Sequence, residues 1–384
     1  GVSDEDFGAL REAGWIQFTR EPQMSLLPPV RQFLRERSRG EEDEARAAIK
    51  RFLVKGLASS YPKDYGRVTR LGETYQADIA RLETETDEPT ELGPLLIGLQ
   101  VTAHRYGRVD RFLARMAELV ERQPEPAWIN LLANTYYLQN DVEAALPLFE
   151  RVLELSEGEM RGVAQCNVAL CHLSVGRVKE ALPLLRSSIE ATEVPRRRAA
   201  RVLNLGSALL LAGDLDDARA CFDQAREMFE AMPELPGYLG LVHLRTAEAA
   251  LLSGDGTEAS REALLALDTW ESLKQWPHLP DTYSVLVLIA AAQGDASDMA
   301  RWVEQWAGRT PPVTTFCTTL LLAFRWLGHS AMADLFLPGA SNLRVPLFLK
   351  ALLARERLSV CHDRSKRMSR SQAIALARQA MKRL

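Results

Sequence analysis

The sequence has no GxxxxGK(S/T) phosphate loop and no GxGxxG run after a strand-like segment, so no nucleotide cradle is read within its 384 residues. HExxH, GxSxG and paired-carboxylate clusters are missing too, and the acidic run Glu41, Glu42, Asp43, Glu44 reads as a solvated helix face. No catalysis by this chain is expected, and no cofactor. Long apolar runs are also absent. The stretches near Leu320 and Val285 are interrupted within about 10 residues, short of the roughly 20 that span a bilayer. No signal peptide is read at the start, so no membrane partner is expected. Cysteine is scarce and odd in number, with five residues (Cys166, Cys171, Cys221, Cys317, Cys361) and no CxxC pair. That usage fits reduced thiols in a cytoplasm better than a disulfide framework. Cys166, Cys171 and His172 invite a metal reading, but positions 166 and 171 share one helical face poorly and no second ligand pair follows, so no metal site is expected. A net charge of -4 favours neither nucleic acid nor a membrane surface.

What remains is helical material, since Leu, Ala, Arg and Glu dominate and Val-Thr-Tyr runs are few. Residues 134–155, NTYYLQNDVEAALPLFERVLEL, place small and large apolar residues at helical spacing on both sides of an Asn140-Asp141 break. This predicts two helices folded back on each other. The phrase returns as NVALCHLSVGRVKEALPLLRSSI from Asn167 and as NLGSALLLAGDLDDARACFDQAREMF from Asn204. Gly107, Asn140, Gly176, Gly213, Gly254, Gly294 and Gly328 each follow an apolar helix and precede a short polar start, with separations of 33, 36, 37, 41, 40 and 34 residues. A left-handed residue turns one helix tightly into the next, and Gly or Asn adopts it at least cost. The period resembles that of tetratricopeptide repeats, nominally about 34 residues of helix-turn-helix.

Fixed offsets agree with that resemblance. With the turn residue taken as position 15, position 8 is Ala133, Ala169, Gly206 and Ala247, and position 20 is Ala145, Ala181, Ala218, Ala259 and Ala333. These are small where the two helices of a repeat cross closely. Position 24 is large, with Phe149, Leu185 and Phe222, and position 11 holds Tyr136 and Leu209. Phe112 and Met299 depart from the pattern at position 20, and Val287 and Leu321 at position 8, which predicts wider crossings or a shifted register in those repeats. Pro233, Pro236, Pro277 and Pro280 are expected to break helices and set where the next repeat begins. The fold class expected is all-α, a right-handed α-solenoid of such hairpins over residues 93–342.

The segment before the repeats reads differently. Residues 4–37 predict a helix, a short strand (WIQFT), a charged turn at Arg20, Glu21 and Pro22, a second strand (MSLL) and a helix starting at Pro28-Pro29, where proline is tolerated. Helix, two-stranded wing, helix is the closing half of a winged-helix unit. ALREAGWIQFTREPQMSLLPPVRQFLRER resembles the end of the winged-helix domain in bacterial STAND-type (NB-ARC-like) regulatory NTPases, with Val30, Arg31 and Phe33 in its last phrase. Residues 1–38 are thus expected to be the C-terminal part of such a domain. Residues 39–92 resemble the helical linker that follows it, though any amphipathic helical hairpin would read the same. Charge alternation along 41–55 suits i to i+4 pairs on a solvated face. Gly1-Val2-Ser3 reads as a boundary inside a longer protein. The resemblance implies a nucleotide-binding core upstream of it, and an array that holds this NTPase module inactive until a partner binds.

Residues 343–384 are expected to be basic C-terminal capping helices. Ten Lys or Arg stand against Glu356 and Asp363 from Lys350 onward, a local balance of +8. They read either as a solvated cap or as a patch for an acidic partner or nucleic acid, centred on Arg364, Lys366, Arg367 and Arg370. No aromatic follows Phe348, which argues against base stacking. By the family resemblance the first helix of each repeat lines a concave face through positions 2, 5, 9, 12 and 13. Here these include Asn130, Asn134, Tyr137, Leu138, Leu170, Leu173, Ser207, Leu210, Leu244 and Glu248, together with Cys166, Leu203, Leu211 and Leu251. Such a lining is more apolar than charged and suits an amphipathic helix or an apolar ligand. Repeat proteins that clamp a C-terminal carboxylate need cations where this chain has Asn130, Ala200 and Asn204, so that ligand class is rejected for these repeats. Asn134 and Asn167 fill its two Asn places, yet Asn134, Asn167 and Asn204 are commonplace in the repeat itself. The expected function is a partner-sensing, autoinhibitory scaffold of a STAND-type NTPase, acting on a protein, a peptide or its own NTPase module. The alternatives are a constitutive adaptor and a nucleic-acid-associated regulator using the wing and the basic tail.

Overall fold

The computed structural model describes residues 16–20, 23–26, 39–60, 65–103, 109–273, 278–309, 312–337, 340, 348–349, 352–353, 356 and 368–381. Several expectations lie outside these residues: the helices at 4–14 and after Pro28, with Val30, Arg31 and Phe33, most of the helix expected at 345–358, and Gly107, Pro277, Cys361, Arg364, Lys366 and Arg367. The chain divides into two compact units, Gly1–Trp128 and Ile129–Leu384.

In the first unit, β1 (Ile16–Arg20) and β2 (Gln23–Leu26) form the expected two-stranded antiparallel hairpin, pairing Ile16 with Leu26 and Phe18 with Met24. A bulge lies between Phe18 and Arg20, at the end of β1. Among the described residues five helices follow: α1 (Arg39–Ser60), α2 (Tyr65–Thr74), α3 (Gln76–Glu85), α4 (Pro89–Ala103) and α5 (Val109–Arg122). The sequence of α4, PTELGPLLIGLQVTA, is apolar on nearly every side, and α1, α2, α3 and α5 all pack on it. Gly98 lets the neighbours close in, since a Cβ there would meet Leu57 and Ile79 side-chain atoms at 3.0 Å. Glu83 is buried at the end of α3 and is held by Arg111 Nη2 at 2.6 Å and Arg115 Nε at 2.8 Å, which compensates its desolvation.

The second unit is a stack of helical hairpins. Its helices are α6 (Pro126–Leu138, which begins just before it), α7 (Val142–Leu155), α8 (Gly158–Ser174), α9 (Val178–Glu190), α10 (Pro195–Ala212), α11 (Leu215–Glu230), α12 (Pro236–Ser253) and α13 (Gly256–Leu273). Then come α14 (Leu279–Ala292), α15 (Ala296–Gly308), α16 (Val313–Trp326), the short α17 (Ser330–Asp334) and α18 (Arg370–Met381). Within hairpins α8 packs on α9, α10 on α11, α12 on α13 and α14 on α15, and each first helix also touches the next first helix.

One device is repeated at the described turns within hairpins. Asn140, Gly176, Gly213, Gly254, Gly294 and Gly328 all have positive φ, between 60° and 90°. Each donates its N–H to the carbonyl three residues back, and the following residue donates to the carbonyl five back, as in Gly254 to Leu251 and Asp255 to Ala250. Asp then caps the next helix: Asp141, Asp255 and Asp295 accept from the amides of Ala144, Glu258 and Asp298. Pro195 and Pro236 stand at the first position of α10 and α12, and Pro280 in the first turn of α14, where a missing N–H leaves no bond unmade.

The small residues lie at the crossings. Ala133, Ala169 and Ala247 at position 8, and Ala145, Ala181, Ala218, Ala259 and Ala333 at position 20, are all fully buried. Gly206 shows how close the approach is, because a Cβ there would fall 2.5 Å from Phe222 Cε1. Val287, Leu321 and Met299 are equally buried, so the later hairpins carry bulk at the crossing where the earlier ones carry alanine. Aromatic rings fill the space around them, with Tyr283 stacked on Trp306 at 6.4 Å and Trp306 edge-on to Phe316 at 5.0 Å.

Candidate functional site

The first helices of five successive hairpins, the earliest of them through one residue, line a cavity of about 290 Å³ in the second unit. Helix α10 lines it most fully, with Leu203, Asn204, Ser207, Leu210 and Leu211 on one stripe. Leu170 and Leu173 come from α8, Leu241, Arg245 and Glu248 from α12, Asp281 from α14, Tyr137 from α6, and Phe348 closes one side. The spacing explains the geometry: residues 241, 245 and 248 are i, i+4 and i+7 along α12, and 203, 207 and 210 along α10, so each set faces one way.

Most polar groups on this surface are satisfied within it. The Tyr137 hydroxyl lies 3.2 Å from Ser174 Oγ, Ser207 donates to the Leu203 carbonyl at 3.1 Å, and Asn204 Nδ2 donates to Cys166 Sγ at 3.5 Å. Burial pushes the Tyr137 hydroxyl above its usual range, so it stays protonated at neutral pH. The charged groups are concentrated at one end. Arg245 Nη1 donates to both oxygens of Glu248, at 2.6 and 2.7 Å, and Glu248 is 1% exposed. Burial pushes the Glu248 carboxyl up, with Arg245 opposing. Burial also opposes the charge on Arg245, but Glu248 more than offsets it and the guanidinium is held above its ordinary range. Burial pushes the half-buried Asp281 up to about 6, and the Glu248 charge adds to that shift while Arg245 counters it.

Of the residues expected on this face, the structure brings Tyr137, Leu170, Leu173, Ser207, Leu210 and Glu248 together around the cavity, with Leu203 and Leu211. The others are placed elsewhere. Asn130 is buried and accepts from Asn167 Nδ2 at 2.9 Å, a bond between neighbouring first helices. Leu244 is fully buried in the hairpin core and offers no surface. Leu138 is 64% exposed at the end of α6, outside the cavity lining, and Asn134 is half-buried there. Arg370 is exposed at the first position of α18, while Arg364, Lys366 and Arg367 lie outside the described residues.

Arg245 and Asp281 were missed. The lining positions 2, 5, 9, 12 and 13 exclude Arg245, which holds position 6, although 2, 6, 9 and 13 form a single helical stripe, and Asp281 holds position 2 of the next repeat, which turns at Gly294. Cys166 and Cys171 sit in different apolar clusters, and burial pushes the Cys171 thiol up to about 12. Among the described residues no group of three His, Cys, Asp or Glu could hold a metal ion, and no helix is long and apolar enough to cross a membrane.

Residues 127–158, which span α6 and α7, match the tetratricopeptide repeat family model. This is a tetratricopeptide-repeat helical protein. Its hairpin stack is similar in fold to a Rap protein complexed with competence and sporulation factor, at 11% identity over 89% of this chain and 98% of that one, with a TM-score of 0.54. It is also similar to aspartyl phosphate phosphatase F from Bacillus subtilis, at 14% identity over 83% of this chain and 92% of that one, with a TM-score of 0.50. A Signal Transduction ATPase with Numerous Domains (STAND) protein with a tetratricopeptide repeat sensor, from Pyrococcus horikoshii, aligns at 15% identity and a TM-score of 0.49. That alignment covers 86% of this chain and 57% of that one. No curated protein matches the sequence.

Proposed function

We propose that this tetratricopeptide chain is a partner-sensing scaffold, that it takes a protein or peptide segment in the cavity between its first helices, and that it serves a STAND-type signalling NTPase. The observation that carries the binding reading is the 290 Å³ cavity, whose walls come from helices of five successive repeats, so that any occupant touches several hairpins at once. A ligand held in that way stabilises one arrangement of the stack over others, which a sensor requires. The fold it shares with a Rap protein complexed with a named factor supports the same reading.

The regulatory half of the proposal rests on residues 9–37, whose phrase resembles the end of a STAND winged-helix domain and whose described strands, Ile16–Arg20 and Gln23–Leu26, form an antiparallel pair. On this reading the chain itself performs no chemistry, works in the cytoplasm with its thiols reduced, and its parent protein binds nucleotide. A constitutive adaptor would need the cavity but not the wing.

Ser207→Trp tests the binding site, since it fills the cavity from α10 and leaves the hairpin core untouched. Peptides selected from a displayed random heptapeptide library by the full chain should lose at least about tenfold in affinity for this variant. Unchanged affinity would move the site elsewhere. The regulatory half is tested in the parent protein: nucleotide hydrolysis should change on Ser207→Trp, and a parent that neither binds nor hydrolyses nucleotide would leave the adaptor reading.

A further inference from the structure

The charges in the cavity do not balance. Among the described residues that line it, Arg245 faces two carboxylates, Glu248 and Asp281, so with all three ionised these groups carry a net charge of -1. The guanidinium is committed to Glu248, which it bonds through both oxygens. Other buried or partly buried carboxylates of the second unit are matched by cations. Glu262 meets Arg226, Arg261 and His243, and Glu159 meets Arg197 at 3.0 Å and Arg201 at 2.8 Å. Asp281 has no such bonded cation among the described residues, and it faces a cavity whose apolar walls include Leu170, Leu203, Leu210, Leu211 and Leu241, with Tyr137, Asn204 and Ser207 as its neutral polar groups.

Resting on the binding reading above, we propose that the cavity selects a peptide segment presenting a Lys or Arg side chain beside apolar residues, with Asp281 as its counter-charge. A cation placed there completes a four-group cluster of two positive and two negative charges, while the leucine walls cover its aliphatic stem. The same arrangement disfavours an acidic segment or a free carboxylate, because the one guanidinium is already neutralised and the added charge would face Asp281. Occupancy therefore depends on Asp281 being ionised. Burial and Glu248 set its carboxyl near 6, with Arg245 opposing, and among the described residues these two α12 groups are the charges that act on it. His278, next to the start of its own helix, is pushed down by burial and by Arg245.

The test pans a displayed random heptapeptide library against the full chain and against Asp281→Asn, then measures the selected peptides in synthetic, amidated form. The wild type should enrich Lys or Arg adjacent to Leu, Ile or Phe, and Asp281→Asn should lose that basic preference. Affinity for the wild type should fall about tenfold between about pH 7.5 and about pH 5, with no such fall for the variant. Peptides without a basic preference, or a preference that Asp281→Asn retains, overturn the inference while leaving the binding reading intact. Peptides that Ser207→Trp binds as well as the wild type does, or a library that yields none, overturn both.

Discussion

Asp281 is a residue whose charged form the fold disfavours. Its carboxyl moves from an ordinary 3.8 to about 6, so folding favours the protonated form. Its contribution to stability is therefore fully present below about pH 4 and is lost as pH rises toward about 6, amounting to at most about 3 kcal/mol. Asp281→Asn removes that loss. The variant should be more stable than the wild type at neutral pH by about 1 to 3 kcal/mol and should lack this pH-dependent decline, as urea unfolding at a series of pH values reads it. A variant less stable at neutral pH would mean that Asp281 is already paired in the free protein. Neither this residue nor Arg245 was legible from the repeat pattern, which reports the spacing of apolar and small side chains. Which polar side chain stands unmatched depends on partners in neighbouring helices, about 40 residues away in sequence. Leu244 failed for the opposite reason: a stripe one position off turns a surface residue into a core one, and the sequence does not say by how many degrees each helix is rolled.

At the scale of the helix and its turn, far more could be read in advance. The Gly-Asp pair that ends one helix and caps the next is a local device, made of one backbone conformation and one side-chain hydrogen bond, so the turn residues and their register were readable directly. Asp255→Ala and Asp295→Ala should each cost about 1 kcal/mol, because each leaves an amide of the next helix unbonded. Thermal unfolding checks this, and a loss near zero would show that water replaces the cap at no cost. The crossing positions were legible for the same reason, since two helices in close contact exclude all but small side chains. Ala218 is fully buried. Ala218→Glu places an unpaired carboxylate there and should cost several kcal/mol, about 3 or more. An unchanged melting temperature would contradict the register. The β1–β2 hairpin was readable from strand composition around a charged turn, whereas the bulk at Val287, Leu321 and Met299 shows where the small-residue rule gives way to aromatic packing.

At the scale of the whole molecule, a hairpin stack gains stability from nearest neighbours, and any ligand that bridges several hairpins ties them together. Binding in the cavity should therefore protect the amides of α8, α10 and α12 from hydrogen exchange together, because a shared occupant resists the opening of each. Protection confined to one helix would point to a surface contact instead. The central claim is that the cavity between the first helices is where the partner sits. Its most direct measurement is the affinity of a library-selected peptide for the full chain and for Ser207→Trp, both shown to be folded by circular dichroism. A loss of at least about tenfold in the variant is the predicted result, and equal affinities would contradict the account.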